Sequence, residues 1–355
     1  MAILKVPGLA DPHVHLREPG SENKEDFYTG TCAALAGGYT ALLDMPNNPR
    51  PTTSPEALAE KKQLAASKIV CDLGFNFGAT PNNAPVYPEV ESQVAALKAY
   101  LGETHGPLVF GGLEGMLAVF QGWNSHKPIM IHAEGPIVAA TIGLAALYGR
   151  RIHICHLSKK AELELVRTAK ERGLPVTCEV APHHLFLTRE DATPGKLGPY
   201  GRMSPALQSG SDVEALWQGL ADGAVDMIAT DHAPHTREEK DSDKPPFGVP
   251  GLETAFGLMF KAAYEGYAGL TVERLVKLMA VAPRQVFGLP QGDSEIEIDD
   301  SEYTISEEGL FTKCGWTPFA GVKARGRVKR VWLRGQLVFE DGQVLAKPGS
   351  GQILF

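Results

Sequence analysis

The sequence predicts an α/β fold, a closed (β/α)8 TIM barrel with a small β appendage formed mainly by the C-terminal segment. Three observations predict it. Eight short runs rich in β-branched and apolar residues alternate with helical patterns, the order of βα units around a parallel sheet. Unusual polar residues fall at or just past the ends of these runs, where a barrel of this kind assembles its working rim. Beyond residue 290 the alternation of strand and helix gives way to an acidic stretch and then a hairpin pattern.

The expected strands are residues 5–15, 39–45, 69–79, 96–101, 128–134, 151–158, 175–181 and 225–231. The helical stretch 54–67 opens with Ser54 as its cap and Pro55 at its first position, and 159–172 closes at Gly173. Residues 252–267 and 271–287 are amphipathic helices. Residues 292–300 read as acidic and irregular, while 328–345 alternate like a hairpin, with Gly335 and Asp341-Gly342 as turns. The expected organisation is a metal-dependent barrel over 5–290 and an extension with a small β subdomain over 291–355.

A chain of 355 residues with 43% hydrophobic content fills one large α/β core. No run approaches the ~18 apolar residues of a membrane span, and the N-terminus lacks the basic-then-apolar layout of a signal peptide, so the expected location is cytoplasmic. Five cysteines without a Cys-x-x-Cys pair suggest neither a disulfide framework nor a zinc ribbon. A net charge of −8 argues against nucleic acid as a partner. It also means that a site for an anionic substrate must carry its own arginines and metals.

The densest rim segment is Asp11-Pro12-His13-Val14-His15-Leu16-Arg17-Glu18. Alternation along a strand points His13 and His15 the same way, about 7 Å apart along the backbone, which suits one metal ion. Asn47 follows the second strand, Lys98 sits in the fourth, and His132, His156, Glu179 and Asp231 end the fifth to the eighth. Four histidines and one aspartate exceed what a single zinc takes, so two metals fit better. Two metals ~3.5–4 Å apart need a bridging anion. The unassigned rim residue in mid-sequence is Lys98, and an ammonium has no lone pair to offer. Either Lys98 is an ordinary strand lysine with its amine in solvent, or reaction with carbon dioxide makes it a carbamate that bridges both ions. Cys155 alternates with His156 and is expected to face away from it as a small buried side chain. Were the strand end to bend, Cys155, Glu179 and His13 could hold an accessory third metal. His183 and His184 are expected to be structural or supporting, His126 and His153 to be surface or packing residues, and His232 to pack under the rim.

Six motifs in order carry a resemblance: residues 11–20, Met45-Pro46-Asn47, His132-Ala133-Glu134, His153-Ile154-Cys155-His156, Ala181-Pro182-His183-His184 and residues 231–236. Together they resemble the dihydroorotases of the amidohydrolase superfamily, most of all the form found as one domain of the animal multifunctional pyrimidine-synthesis protein. The likeness runs over nearly the whole chain. It implies that His13, His15 and Asp231 hold one Zn2+, that His132 and His156 hold another, and that carboxylated Lys98 bridges them. Arg17, Asn47 and His235 match substrate-carboxylate contacts, and Pro250 and Gly251 match backbone that touches the pyrimidine ring. Thr104 matches the threonine of a loop that closes over substrate, and His105 follows it where the animal pattern has Phe. Ser204 stands where the animal type has an arginine, with Arg202 the neighbouring cation that could replace it.

The implied reaction is the reversible cyclisation of N-carbamoyl-L-aspartate to (S)-dihydroorotate in pyrimidine biosynthesis, with Asp231 carrying the proton. Because the first barrel strand begins almost at Met1, the resemblance also implies a domain of a multifunctional chain, beside carbamoyl-phosphate synthetase and aspartate transcarbamoylase, and a homodimer. An allantoinase- or hydantoinase-type cyclic amidase would share the metals, so only substrate residues separate it. Arg17 followed by Glu18 favours a ring that carries a free carboxylate. An inactive dihydroorotase-like scaffold would predict damaged ligands, and all six metal-site residues are present.

Overall fold

In the computed structural model of the protein, residues 3–101, 108, 112–290 and 292–355 are described. Among them, eight strands form one parallel sheet in sequence order: β2 (Leu9–Val14), β3 (Tyr39–Asp44), β4 (Asp72–Gly78), β5 (Ala96–Tyr100), β6 (Ile129–His132), β7 (Ile152–Ile154), β8 (Val176–Val180) and β9 (Met227–Ile228). A parallel bridge between Val14 and His232, with the His15 amide donating to the His232 carbonyl at 2.8 Å, joins the last strand to the first. The sheet is thereby closed as the expected barrel.

A second sheet is antiparallel, in the order β1 (Ile3–Pro7), β10 (Ser294–Thr304), β11 (Lys323–Leu333), β12 (Gln336–Glu340) and β13 (Gln343–Val344). The run 5–15, expected as one barrel strand, therefore divides between two sheets. The division falls at Gly8, whose amide donates to Ser294 while the next amide, of Leu9, donates to Gly38 in the barrel. A Cβ at residue 8 would lie 2.5 Å from both Ser294 Oγ and Thr40 Oγ1, so the chain passes between the sheets only with glycine there. Residues 292–300, expected to be irregular, contribute instead most of β10. Ile296 and Ile298 enter the core, and the acidic positions find cations: Lys5 reaches Glu295 at 2.7 Å and Glu297 at 3.2 Å, and Arg330 reaches Glu297 at 3.2 Å. Composition suggested a loop, whereas the period-2 alternation beneath it decides the structure.

The barrel strands alternate between two packing layers. Leu9, Leu42, Ile129, Ile131, Ile154 and Ile228 pack outward into the main core with the surrounding helices. Ala10, Ala41, Leu43, Met130, Cys155 and Met227 belong to a separate inner cluster with Phe287 and Leu289. The ring of Phe287 meets His153 edge-on at 5.2 Å, so the floor beneath the polar rim is filled by side chains. The second sheet rests on the helix Leu252–Tyr264, where Gly326 lies against the Phe260 ring and Arg325 stacks on Tyr264 at 3.6 Å. No helix among the described residues is long and apolar enough to cross a membrane.

Candidate metal centre and active site

His13 and His15 lie at the end of β2 and just beyond it, with tilted rings 5.4 Å apart. Each has its Nδ1 engaged from outside the rim. His13 Nδ1 bonds Glu179, and His15 Nδ1 lies 2.8 Å from Asn47 Oδ1. A carboxylate and an amide oxygen only accept, so both rings carry a proton on Nδ1 and turn Nε2 inward, the nitrogen that would serve a metal ion. Both Nε2 atoms converge on Asp231 Oδ1, at 3.4 Å from His13 and 3.1 Å from His15. Burial pushes His15 down to about 4, which keeps its lone pair free. His13 behaves oppositely. Burial and Lys98 oppose its charge, yet Glu179 and Asp231 raise it to about 10, so this spot favours positive charge. An uncharged His15 beside a carboxylate pair that calls for a cation fits a bound metal ion.

Across the rim, His132 Nδ1 and His156 Nε2 face each other at 2.8 Å. Burial followed by the charge of Lys98 pushes His132 down to about 3, and burial holds His156 well below its ordinary range. Two neutral imidazoles with nitrogens turned toward one point again suit one ion. Lys98, fully buried on β5, donates to Cys155 Sγ at 2.9 Å and lies 5.1 Å from the centre of the Tyr100 ring. Cys155 was expected to face away from His156 as a small buried side chain; it is buried, and its Sγ meets Lys98 inside the barrel. His156 has φ +34°, outside the extended region, so regular strand alternation ends before it. Ligand atoms of His13, Cys155 and Glu179 lie within 4.8 Å of one another, and so do those of His13, His156 and Asp231. Asp231 (φ +48°) and Arg17 (φ +64°) share the strained backbone class, which concentrates strain around the site.

A cavity of about 170 Å³ opens above these donors, lined among others by Arg17, Asn47, Tyr100, Ser204, His235 and Phe247. Arg17 is anchored by its Nε to the Pro234 carbonyl at 3.0 Å. His235 Nδ1 lies 3.3 Å from Lys24 Nζ, and its Nε2 lies 2.9 Å from Phe247 O and 3.1 Å from Arg17 Nη2. Burial, with Arg17 and Lys24 nearby, holds its pKa far below the ordinary histidine value. Gly251 and Pro250 lie behind the site, where the Gly251 amide donates to His232 Nδ1 at 3.1 Å. Ser204 reaches the cavity, while Arg202 is exposed and stacks on Phe247 at 4.4 Å. Thr104 and His105 lie outside the described residues. A larger cleft of about 500 Å³ between the second sheet and the helix Leu252–Tyr264 shares none of these donors, and the chemistry belongs to the smaller one.

A model of the amidohydrolase family matches residues 4–338. The chain is 46% identical over 352 residues to the multifunctional protein CAD of Squalus acanthias, covering 99% of this chain and 16% of that protein. It is 35% identical to a dihydroorotase of Listeria welshimeri, covering 96% of this chain and 88% of that one. The chain belongs to the amidohydrolase family, among the dihydroorotases. Among solved structures, an L-hydantoinase of Arthrobacter aurescens superposes with a TM-score of 0.91 at 25% identity, covering 99% and 88% of the two chains. An inactive dihydroorotase-like domain of a Chaetomium thermophilum CAD-like protein superposes at 0.84 and 25%, covering both chains fully. This amidohydrolase spans only a sixth or so of its multifunctional relatives.

Three residues escaped sequence reasoning. Tyr100 lines the cavity with its hydroxyl buried and, among the described residues, without a hydrogen-bond partner, and its place two residues after Lys98 on one strand face was the available signal. His153, expected as surface or packing, is buried and bonds Glu179 through Nε2 at 3.0 Å and Thr177 through Nδ1 at 2.9 Å. Lys24 reaches His235 from a loop that no motif covers. His183 and His184 are buried with rings 4.4 Å apart, and His184 Nε2 bonds Pro205 O at 3.0 Å, a supporting role as expected.

Proposed function

We propose that this amidohydrolase interconverts N-carbamoyl-L-aspartate and (S)-dihydroorotate on a centre of two zinc ions. The observation that carries the reading is that a cluster of inward-turned imidazoles and one aspartate shares a single cavity with Arg17, Asn47 and His235. Hydrolytic machinery and a carboxylate anchor thus lie within reach of one small ligand. His13, His15 and Asp231 would hold one metal and His132 and His156 the other, with Lys98 as a carbamate between them. Bound metals would polarise the ring amide carbonyl and bring the pKa of an attacking water toward neutrality.

The chain's own residues account for the rest. Asp231 takes the proton from the water and delivers it to the leaving ring nitrogen, and in the synthetic direction it removes the ureido proton. The Nε2 atoms of His13 and His15 converge with the Asp231 carboxylate, so one bound ion would keep all three in register. Arg17 offers a planar fork to the substrate carboxylate, which a lysine could not match. Asn47 spends its oxygen on His15 and keeps its amide N–H groups for the ligand. The ring contact that the dihydroorotase resemblance implies would fall to the Pro250-Gly251 backbone, behind the cavity. Arg17 places positive charge on the cavity wall in a chain of net charge −8, which draws an anionic substrate to this point. An accessory third metal at His13, Cys155 and Glu179 is compatible with the spacing of their ligand atoms.

The hydantoinase reading rests on the shared fold, and it leaves Arg17 without an anion to bind. Metal analysis together with turnover of dihydroorotate, hydantoin and allantoin tests the proposal. Two zinc ions per chain and turnover of dihydroorotate are expected, and turnover of hydantoin alone would refute it.

A further inference from the structure

We infer that Lys240 is a positioning residue of the substrate cavity, its buried ammonium clamping together the two loops that form one wall. Lys240 ends the short helix Arg237–Lys240 and is fully buried. Its Nζ donates to Pro246 O at 2.9 Å, Arg202 O at 3.0 Å and Pro199 O at 3.3 Å. An ammonium has three N–H donors and no acceptor, so three carbonyls are its full complement, whereas a neutral amine would leave one unserved. Among the described residues no carboxylate forms an ion pair with it. Burial, with the Arg202 and Arg17 charges nearby, pulls its pKa down to about 7, and the three carbonyls are what hold its third proton.

A buried lysine without an ion-pair partner is a costly choice where a methionine would fill the same space. What it accomplishes is geometric. Pro199 and Arg202 belong to the loop that leads to Ser204, and Pro246 opens the segment Pro246-Phe247-Gly248; Ser204 and that segment line the cavity. The Gly248 amide bonds Arg202 O at 3.1 Å, so this one carbonyl receives both the clamp and the neighbouring loop. Phe247 O in turn lies 2.9 Å from His235 Nε2. On the other side the Trp316 ring lies 5.6 Å from Nζ, and its Nε1 donates to His235 O at 2.7 Å. Lys240 touches no position a substrate would occupy. It acts through the backbone that fixes His235 and the cavity wall, and so on how well substrate binds rather than on the reacting atoms.

The kinetic part rests on the dihydroorotase reading, and the exchange part does not. In the zinc-loaded chain, Lys240→Met should raise KM for dihydroorotate about tenfold while kcat stays within about twofold, the pattern of lost positioning in the bound state. Hydrogen exchange at the amides of Arg202 and Gly248 should speed up at least about tenfold, as expected where local opening becomes easier. Lys240→Gln, which keeps two donors, should fall between wild type and Lys240→Met on both measures. Unchanged exchange at both amides would overturn the clamp, as would a fall in kcat with KM unchanged. If both variants fail to fold, Lys240 is a requirement of the fold and the inference is wrong. A wild type that does not turn over dihydroorotate would count against the reaction alone, and the exchange comparison would still decide the clamp.

Discussion

Glu179 sits at the end of β8 with no path to substrate, yet it sets the chemistry of the rim by accepting from His13 Nδ1 and His153 Nε2. Burial alone would raise its pKa, but the His13 and His153 rings hold it far below the ordinary carboxylate value. Glu179→Gln keeps the shape and removes the charge that fixes His13. We expect zinc affinity to fall about 10–100-fold, the usual effect of losing a supporting partner of a metal ligand, read by equilibrium dialysis against a competing chelator. Asp231→Asn should keep the fold and lose turnover by about 10²–10⁴-fold, because an amide cannot accept and return the proton. Near-normal turnover of that variant would remove Asp231 from the mechanism. At this scale His13 and His15 were legible because period-2 alternation survives to the end of β2. The contact of Cys155 with Lys98 was not, because nothing in a hydrophobic pattern reveals that His156 takes a positive φ.

The barrel elements follow from alternating strand and helix patterns, and the places where they were misread are places where two elements meet. Gly8 marks such a junction, and Gly37 marks a contact between two helices. A Cβ at Gly37 would lie 2.0 Å from the carbonyl oxygen of Leu252, which is backbone at the start of the helix Leu252–Tyr264 and cannot turn aside. Gly37→Ala should therefore destabilise the chain by about 1–3 kcal/mol, seen as a lower Tm with zinc content retained. Glu253 lies in the first turn of the same helix and accepts from the amides of Phe311 and Thr312 at 2.9 and 3.0 Å. Burial raises its pKa from 4.5 to about 7. The folded chain thus binds this proton more tightly than the unfolded one, a contribution complete below 4.5 and lost as pH rises through about 7. Glu253→Gln has no proton to lose. Its Tm relative to wild type should rise between about pH 5 and pH 8; a constant difference would mean that Glu253 keeps an ordinary pKa.

As a whole molecule, the chain is a barrel braced by a second sheet that takes one strand from the N-terminus and four from the C-terminus. The helix Pro136–Tyr148 turns Ala139, Ala140, Gly143 and Ala146 outward around Leu147, which is 80% exposed. We propose that this uncharged face carries the contact of a homodimer. Light scattering at micromolar concentration should give twice 38.1 kDa, and Leu147→Asp should give the monomer if that helix carries the contact. The central claim is that this site is built for a cyclic amide bearing a carboxylate. Its most direct test is kcat/KM of the zinc-loaded chain for dihydroorotate against dihydrouracil, the same ring without the carboxylate. A site whose Arg17 would be left without an anion by the smaller ring should prefer dihydroorotate by about 10⁴-fold. Equal or better turnover of dihydrouracil would contradict the account, and turnover of neither would leave the barrel as a scaffold.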